Sequence, residues 1–446
     1  MIARQGSGVR MRRAKGLAVC IAGALGVLSL FLLAGCAPPP TPTPVPIATP
    51  TPAPTVTPSP MPPTPTPTPE PPSIILWHDL PADQAARLQE EVDAFQKEYP
   101  AFWFDLQQYD GAPALERALT AGSIEFDLVL GNARTVRFMR ENGLIRPVDE
   151  LFARAFVRGL ARPGVEGVVH GGRIWGVPHT LGMHLMLFYN ADLVATPAAD
   201  TRSLVEIAAR FSGGGRRGLG MNALDPLWLI PWLSAYGGWP TDEDGRPTLN
   251  TEAMVEALTF VRALALEREV MSATDDYDVG LEAFLSGRTA IWIDGEWVLS
   301  RLREIEDVQW GVARLPVLAE TGLDPACLVA GRYFVVKDGL DEARVEAARM
   351  LIERLVGEDS AVQWTGLFWT MPSSLAALSG EFVQGNPFLR ISAAEVLAGR
   401  GVGLTGDMEL ALRVMRGPLE DVMFNRISTR EAARGMQARA EAESVP

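Results

Sequence analysis

Two short apolar runs, separated by a small polar segment, lie near the middle of the chain. The first, Ile174–Val177, follows a two-glycine turn and is expected to end at Pro178, and the second, Met183–Tyr189, ends at Asn190. Continuous apolar runs of this length between turn residues are typical of buried strands. The segment 179–182 between them has little helix or strand character, and such a connector can absorb a backbone rotation. We therefore predict that the chain passes here from one lobe to another.

Strand and helix patterns alternate over the first part of the folded chain. Strands are predicted at 74–77, 102–106 and 126–130, and later ones at 289–293, 308–315 and 331–336. Alternation with helices predicts a mainly parallel sheet, and ligands of such sheets bind beyond the carboxyl ends of the strands. Four polar residues follow the first and third strands: His78, Asp79, Asn132 and Arg134.

The N-terminus has the composition of an export signal followed by a spacer. In residues 1–36, five basic side chains precede an apolar run that ends in Leu33-Ala-Gly-Cys36, the pattern that lipoprotein processing requires. We predict that Cys36 is lipidated and holds the protein to the outer face of the membrane, and an uncleaved membrane helix is the alternative. Residues 37–72 are Thr-Pro repeats, which predict a disordered, extended stalk because no core can form from them.

Composition restricts the function of the folded part. Removing residues 1–35, which carry five basic and no acidic side chains, takes the formal net charge from −14 to −19. A chain this acidic repels phosphate backbones, so nucleic acid is excluded as a partner. Cys327 remains as a lone thiol once Cys20 and Cys36 are set aside, so core packing rather than disulfides must stabilise the fold. The four histidines show no metal spacing, and neither a phosphate loop nor a nucleophile motif is present, so we predict no metal, cofactor or catalytic residue.

Several short motifs resemble one known family. Gly172-Arg-Ile-Trp-Gly-Val-Pro178, followed by Tyr189-Asn-Ala-Asp-Leu193, is similar to the signature segment of the family 1 extracellular solute-binding proteins, the group of the maltose-binding protein. Further landmarks follow in the family's order, among them Phe-Leu-Ser-Gly-Arg-Thr-Ala-Ile and the Asp-Gly-Glu-Trp297 turn. The resemblance covers nearly the whole folded region.

The resemblance implies an α/β, two-lobed, periplasmic-binding-protein-like (type II) fold, with a ligand cleft between the lobes and a hinge of several strands. The implied N-terminal lobe comprises 73–182 with 314–370, and the C-terminal lobe comprises 183–313 with 371–446. Crossings between the lobes are expected near 180–187, 310–316 and 368–374. The implied function is a monomeric, lipid-anchored receptor that delivers a small polar solute to the permease of an ABC importer by cleft closure.

Eleven tryptophans favour a carbohydrate ligand, because sugars are held by aromatic faces and planar polar groups. By resemblance, Trp297 falls on a stacking position, Asp225 on a hydroxyl-binding position, and Asp79 and Asn132 on contact positions. Beside the residues at the strand ends, the predicted ligand-binding residues are His179, Asp225, Trp228, Trp232, Trp239, Glu296, Trp297, Tyr333 and Trp369. Trp228 and Trp232 flank Pro231 at helical spacing, and one of the two is expected to contact ligand.

Other functions stay open at this point. A surface-anchored glycoside hydrolase would need two carboxylates near each other, and Asp225 and Glu296 are the pair to test. A solute sensor without a transport partner would use the same fold. The late helix offers Leu412 and Arg416 where the maltose protein has a stacking tryptophan, which argues against a malto-oligosaccharide. A glycerophosphodiester or a polyamine is an alternative to a sugar.

Overall fold

The computed structural model describes residues 73–443, except 215, 243, 274–276 and 305–307. The predicted signal peptide with Cys36 and the predicted stalk lie outside the described residues. Within the described part of the chain, no helix is long and apolar enough to cross a membrane.

Strands and helices alternate along most of the described chain. The strands are β1 (Ser73–His78), β2 (Trp103–Gln108), β3 (Leu128–Asn132), β4 (Val169–His170), β5 (Arg173–Ile174), β6 (Val177–Gly182), β7 (Leu185–Asn190), β8 (Leu219–Met221), β9 (Ile291–Gly295), β10 (Trp310–Ala313), β11 (Leu328–Val336), β12 (Met371–Pro372) and β13 (Arg400–Gly401). The helices are α1 (Ala82–Glu98), α2 (Gly111–Thr120), α3 (Ala133–Glu141), α4 (Arg154–Arg158), α5 (Arg162–Glu166), α6 (Thr201–Phe211), α7 (Pro226–Ala235), α8 (Glu252–Leu266), α9 (Tyr277–Leu285), α10 (Leu299–Leu302), α11 (Glu342–Val356), α12 (Glu358–Phe368), α13 (Leu375–Ser379), α14 (Glu381–Gly385), α15 (Pro387–Ala398), α16 (Asp407–Met423) and α17 (Thr429–Glu443).

The described strands form two large sheets and one small hairpin. One sheet has the order β12-β6-β11-β3-β1-β2, with β13 paired to β11, and the other has the order β10-β7-β9-β8. Parallel pairing joins β1 to both β2 and β3, β8 to β9, and β13 to β11, whereas β6, β7, β10 and β12 pair antiparallel. The prediction of a mainly parallel sheet is therefore wrong for half of the larger sheet, because β11 and β12 run in the opposite direction to β1, β2, β3 and β6.

Each sheet is covered on both faces. In β3, Leu128 and Leu130 pack with α1 and α11 in one core, while Val129 packs with α2 and α3 in another. In β9, Ile291 and Ile293 face a core built with α7, α8, α16 and α17, while Trp292 faces α9. This alternation follows from the two-residue period of a strand. Two sheets with separate cores confirm the predicted two-lobed α/β fold.

The first passage between the sheets is shorter than the sequence predicts. β6 lies in the larger sheet and β7 in the smaller one, so the connection comprises Met183 and His184. The predicted strand end at Pro178 is wrong, because β6 continues through it to Gly182. A register shift opposite Arg332 and Tyr333 marks an irregularity in the ladder, and proline is tolerated in a sheet at such a bulge.

Two further passages connect the sheets. The chain returns from β10 to β11 through residues 314–327, and it leaves β13 for α16 through residues 402–406. β12 and β13 both pair in the larger sheet. Helices α13, α14 and α15 pack with Leu181, Val329 and Met371 of that sheet.

Candidate functional site

A polar cluster lies at the carboxyl ends of β1 and β3 in the larger sheet, beside the middle of β11. Asp79 follows β1 directly, and Arg332 pairs across the ladder with Asn132 at the end of β3. Arg332 Nη1 donates to Asp79 Oδ1, and their side chains are 29% and 11% exposed. Asn132 is exposed and its Oδ1 accepts from the Thr135 backbone N–H at 3.1 Å, which caps α3. We call Asp79, Asn132 and Arg332 the polar cluster.

The neighbouring predicted residues have partners of their own. Arg134 is exposed and forms two hydrogen bonds to the Glu116 carboxylate, at 2.8 and 3.1 Å. His78 is buried, and its Nδ1 accepts from the Leu80 backbone N–H at 3.3 Å. Burial lowers the pKa of His78, so the imidazole is neutral at physiological pH and is held by its own loop.

Two predicted features meet on the smaller lobe. Asp225 caps α7, where its Oδ1 accepts from the Leu227 backbone N–H at 3.0 Å. Its Oδ2 accepts from Arg416 Nη2 of α16 at 2.8 Å. Leu412, one turn earlier on α16, packs against a buried cluster of Ile230, Leu328 and Met408. The late helix therefore presents an arginine that is neutralised by Asp225, rather than an aromatic face.

An aromatic cluster lies beside Asp225 on the same lobe. The Trp228 ring meets Tyr277 and Trp297 edge-on, with centroids 6.0 and 5.9 Å apart. Trp297 Nε1 donates to the Tyr277 hydroxyl at 3.0 Å, and that hydroxyl donates to Asp294 Oδ2 at 2.8 Å. Trp297 is 39% exposed. We call Trp228, Tyr277, Asp294 and Trp297 the aromatic cluster.

Asp294 is the buried centre of this cluster. Its Oδ2 also accepts from Trp292 Nε1 at 2.7 Å, and its Oδ1 accepts from the Gly295 backbone N–H at 2.8 Å. Burial raises the pKa of Asp294 to about 6, although these hydrogen bonds oppose the rise. Gly295 is required here, because a Cβ at this position would lie 2.0 Å from the Trp297 ring. The Trp297 indole is thus held on its buried side by Tyr277, Asp294 and Gly295.

Three predicted ligand residues are buried in the cores instead. Trp232 has no exposed surface and packs on Phe260, with ring centroids 5.0 Å apart. His179 is buried between Phe334 and Trp364, and burial lowers its pKa to about 3. Tyr333 is fully buried, and burial raises the pKa of its hydroxyl. Trp232 and Tyr333 have no exposed surface and His179 is only 4% exposed, so we correct the expectation that these side chains contact a solute in this conformation.

The correction at Tyr333 has a simple cause. Successive strand residues point to opposite faces, and it is the preceding residue, Arg332, that reaches the polar cluster. A basic residue within the apolar pattern of 331–336 was the signal for this. Tyr277, which sequence reasoning also missed, is the first residue of α9, and no local sequence pattern marks it as a site residue.

Glu296 lies at the first passage between the lobes, and Trp369 lies between α12 and β12 of the larger sheet. Glu296 Oε1 accepts from the Met183 backbone N–H at 3.0 Å. Trp369 ends α12 in the left-handed conformation, with φ 58°, and its ring stacks on Phe388 and lies under Arg303, whose Cζ is 4.7 Å from the centroid. Both side chains therefore stabilise connections. Asp225 and Glu296, the carboxylates of the hydrolase alternative, each have a different partner.

Trp239 belongs to a separate cavity of about 780 Å³. The Arg400 guanidinium lies over its ring, with Cζ 4.9 Å from the centroid. Arg162, Glu166 and Asp242 line the same cavity. A second cavity of about 590 Å³ lies between α6 and α8 and contains none of the predicted site residues. Among the described residues, no group of three or more His, Cys, Asp or Glu side chains could hold a metal.

The lobes are joined on the side that carries both clusters. Arg137 of α3, the helix capped by Asn132, donates to Glu409 of α16 at 3.1 Å. Two turns further along α16, Arg416 bonds to Asp225. Helix α16 thus contacts α3, which is capped by Asn132 of the polar cluster, and Asp225, which lies beside the aromatic cluster.

Comparison with known proteins gives a consistent result. The family profile described as bacterial extracellular solute-binding protein matches residues 80–338, more than half of the chain. The maltotriose-binding protein of Pyrococcus abyssi is 22% identical over 252 residues, 56% of this chain and 54% of that protein. The chain thus spans about half the length of that relative. The sn-glycerol-3-phosphate-binding periplasmic protein of Escherichia coli is 23% identical over 359 residues, 73% of this chain and 80% of that one.

Solved structures share the fold. The maltose/maltodextrin-binding domain from Bdellovibrio bacteriovorus, bound to maltotriose, superposes with a TM-score of 0.65 at 26% identity, and the match covers 83% of this chain and 99% of that domain.

Proposed function

Since the chain belongs to the bacterial extracellular solute-binding protein family, we propose that it binds a sugar or oligosaccharide between its lobes and delivers it to the permease of an ABC importer. The relatives named above bind maltotriose, maltodextrins or sn-glycerol-3-phosphate, as their names state. On this proposal the mechanism is binding and release by a monomer, without covalent chemistry. Ligand affinity that differs between open and closed arrangements would drive closure.

One observation carries the proposal: Trp297 is a partly exposed indole whose N–H is already bonded to Tyr277. On this proposal, the ligand contacts the exposed part of the Trp297 ring, while the N–H stays bonded to Tyr277. A rigid aromatic surface suits the apolar face of a sugar ring, because little side-chain entropy is lost on stacking. Asp225 with Arg416, and Asp79 with Arg332, supply planar groups for hydroxyls.

The paired arginines favour a neutral ligand over an anionic one. Arg332, Arg416 and Arg134 each have a carboxylate partner in this structure. An anion would have to displace that partner, whereas a hydroxyl can donate to the carboxylate and accept from the guanidinium without separating them. We therefore place neutral sugars before sn-glycerol-3-phosphate.

A calorimetric solute panel tests the proposal. Maltotriose, lactose and sn-glycerol-3-phosphate would be titrated into the purified protein, followed by a wider set of oligosaccharides. We expect one-to-one binding of a neutral sugar, and a loss of about a hundredfold in affinity in Trp297→Ala, the size expected when a central aromatic contact is removed. Trp103→Ala is the matched control, because Trp103 is 56% exposed on β2 at the edge of the sheet, outside both clusters.

Two results would contradict the proposal. Equal losses in the two tryptophan variants would show that Trp297 has no special role. Release of a cleaved product from any glycoside in the panel would show that the protein is a hydrolase rather than a receptor.

The lobe boundaries are also proposed. We place 73–182, 328–372 and the stretch through β13 in one lobe, and 185–313 with α16 and α17 in the other. This differs from a boundary at 370/371, because α13 and α14 pack on the larger sheet, whereas α15 contacts strands of both sheets. Short strands at the passages would act as the hinge.

We further propose that Cys36 is lipidated and that residues 37–72 form the stalk between membrane and receptor. The support is the Leu33-Ala-Gly-Cys36 sequence after an apolar run. Mass spectrometry of the protein from membranes should find acyl chains on Cys36, and Cys36→Ser should move the protein to the soluble fraction. An unprocessed N-terminus in wild type would refute the anchor and leave the solute-binding proposal untouched.

A further inference from the structure

The first passage between the lobes contains a strained residue. Met183, between β6 and β7, has a φ of +67°. Side-chain-bearing residues rarely adopt this left-handed conformation, and it persists where the surroundings enforce it. The enforcing contact is the hydrogen bond from the Met183 backbone N–H to Glu296 Oε1, at 3.0 Å.

Glu296 lies directly against this passage. A Cβ on Gly182 would be 2.3 Å from Glu296 Oε1, so glycine is the residue that allows the carboxyl group to approach. Glu296 follows β9 of the smaller lobe, whereas Gly182 ends β6 of the larger one. The side chain therefore connects one lobe to the point at which the other ends.

The second oxygen of Glu296 faces an unsatisfied nitrogen. Glu296 Oε2 lies 3.7 Å from His184 Nδ1, and neither atom has a hydrogen-bond partner among the described residues. The other imidazole nitrogen, Nε2, is 2.7 Å from Ser392 Oγ. With Glu296 protonated, its Oε2–H faces Nδ1 and the side chain is neutral. With Glu296 ionised, a negative charge is buried beside a neutral imidazole.

Charged groups around Glu296 do not neutralise it. Asp294 on β9 is buried and adds negative charge. Cys327, which precedes β11, is a buried thiol whose pKa is raised by burial. Beyond it, Arg314 is bonded to Glu395 of α15 at 3.1 Å. Among the described residues, His184 is the basic side chain that approaches the Glu296 carboxylate.

We infer that Glu296 is a positioning residue for lobe movement: by taking up or losing one proton, it fixes or releases the backbone at Met183 between the two lobes. The inference rests on the proposed function only for the consequence that lobe movement controls solute capture. The lobe movement itself can be tested without any solute.

The direction follows from linkage. Burial raises the pKa of Glu296 to about 7 from an ordinary value of 4.5, while burial lowers that of His184 to about 3. The carboxyl group therefore binds a proton more tightly in this arrangement than in one where it reaches water. Low pH favours the arrangement seen here, and a rise in pH through 7 favours an arrangement in which Glu296 is hydrated and Met183 is released.

Hydrogen exchange of the segment 180–187 measures this release directly. The purified full chain in mild detergent, without solute, would be compared at pH 5.5 and 8.5 after correction for the intrinsic exchange rate. In wild type we expect exchange of this segment to be about tenfold faster at the higher pH, since one pKa unit corresponds to a tenfold change in equilibrium. A control segment in α11 should show no such change.

Two variants bracket the wild type. Glu296→Gln keeps an acceptor for the Met183 N–H and has no proton to lose, so slow exchange at both pH values is expected. Glu296→Ala removes the acceptor, so fast exchange at both is expected. Glu395→Gln is the matched control, because Glu395 is another buried carboxyl group, at the second passage, whose pKa burial raises to about 7.

The outcomes separate a positioning role from a structural one. A corrected rate in wild type that is independent of pH would overturn the inference, as would a pH response that persists in Glu296→Gln or disappears in Glu395→Gln. If Glu296→Ala does not fold, the comparison of wild type with Glu296→Gln carries the test alone. Failure here leaves the solute titrations unaffected, and failure to find a solute leaves the exchange result standing.

Discussion

The polar cluster and the aromatic cluster are stabilised in different ways. In the polar cluster, Asp79 and Arg332 neutralise each other across the end of the sheet, and both keep some contact with water. In the aromatic cluster, the Asp294 carboxylate is buried and accepts three hydrogen bonds from side chains and backbone. An ion pair near water stabilises only its two members. A buried carboxylate with three donors fixes the position of each group that donates to it.

This difference bears on how each cluster could meet a solute. The charged groups of the polar cluster can adjust to a hydroxyl, because it can bond to both members of an ion pair near water without separating them. The Trp297 ring cannot adjust in the same way, because it is held through Tyr277 and lies over Gly295. We expect the aromatic cluster to determine the position of the ligand ring and the polar cluster to adapt to it.

The largest effect is expected at Asp294. Asp294→Ala leaves the Trp292 N–H, the Tyr277 hydroxyl and the Gly295 N–H without their acceptor, in a site that water does not reach. Each unsatisfied buried donor costs on the order of 1 kcal/mol or more, so the free energy of unfolding should fall by about 3 kcal/mol. Denaturant unfolding measures this. Asp341→Ala, which removes an exposed helix cap on α11, should cost about 1 kcal/mol, and an equal loss in both variants would remove the special role of Asp294.

The next largest effect is a pH dependence that belongs to the aromatic cluster. Burial raises the pKa of Asp294 to about 6 from 3.8. A carboxyl group with a raised pKa contributes stability that is fully present below its unfolded value and is lost as the pH rises through the folded value. The free energy of unfolding should therefore fall by about 2 kcal/mol between pH 4 and pH 6, with the shift discounted for relaxation of the buried site.

Asp294→Asn isolates this contribution. The amide keeps the size of the side chain and has no titration, so a lower but flatter stability curve between pH 4 and pH 6 is expected. Urea titrations at half-unit intervals would provide the slope. A slope as steep as that of the wild type would assign the dependence to other groups, among them Glu296 and Glu395, whose pKa burial raises to about 7.

The contrast between the clusters was only partly visible in the sequence. The strand predictions at 74–77 and 331–336 fall within β1 and β11, because continuous apolar runs report burial directly. The prediction at 126–130 overlaps β3, which begins two residues later, at Leu128. The passage at Met183 lies inside the predicted crossing, although Pro178 was expected to end the strand and a register shift allows it to continue. Local patterns thus determined the elements well and their exact ends less well.

Side-chain partners were beyond local patterns. Arg332 and Asp79 are separated by 253 residues, and Arg416 and Asp225 by 191. Nothing in either neighbourhood encodes the pairing, since it depends on how the chain returns between the lobes. The tryptophans show the same limit: Trp232 and Trp297 both lie beside small or turn residues, yet one is fully buried in the core and the other is exposed.

A smaller effect is expected when the ion pair of the polar cluster is broken. Asp79→Ala leaves Arg332 without its partner in a partly buried position. The cost in stability should therefore lie between the large cost of breaking a buried ion pair and the small cost of breaking an exposed one. We expect a fall of about 1.5 kcal/mol in the free energy of unfolding. A double-mutant cycle with Arg332→Ala should return a coupling energy of similar size, and a coupling near zero would mean that the two side chains act independently.

The smallest effect is expected at the outer ion pair, Arg134 with Glu116. Arg134 is 44% exposed, so water and salt screen its two hydrogen bonds to the carboxylate. Arg134→Ala should change the free energy of unfolding by no more than about 0.5 kcal/mol, and the change should disappear in 0.5 M salt. Thermal unfolding at low and high salt measures both quantities. A salt-independent loss as large as that in Asp79→Ala would show that the outer pair belongs to the polar cluster. The polar cluster would then include Arg134 and Glu116, and its contrast with the aromatic cluster would apply to that larger set.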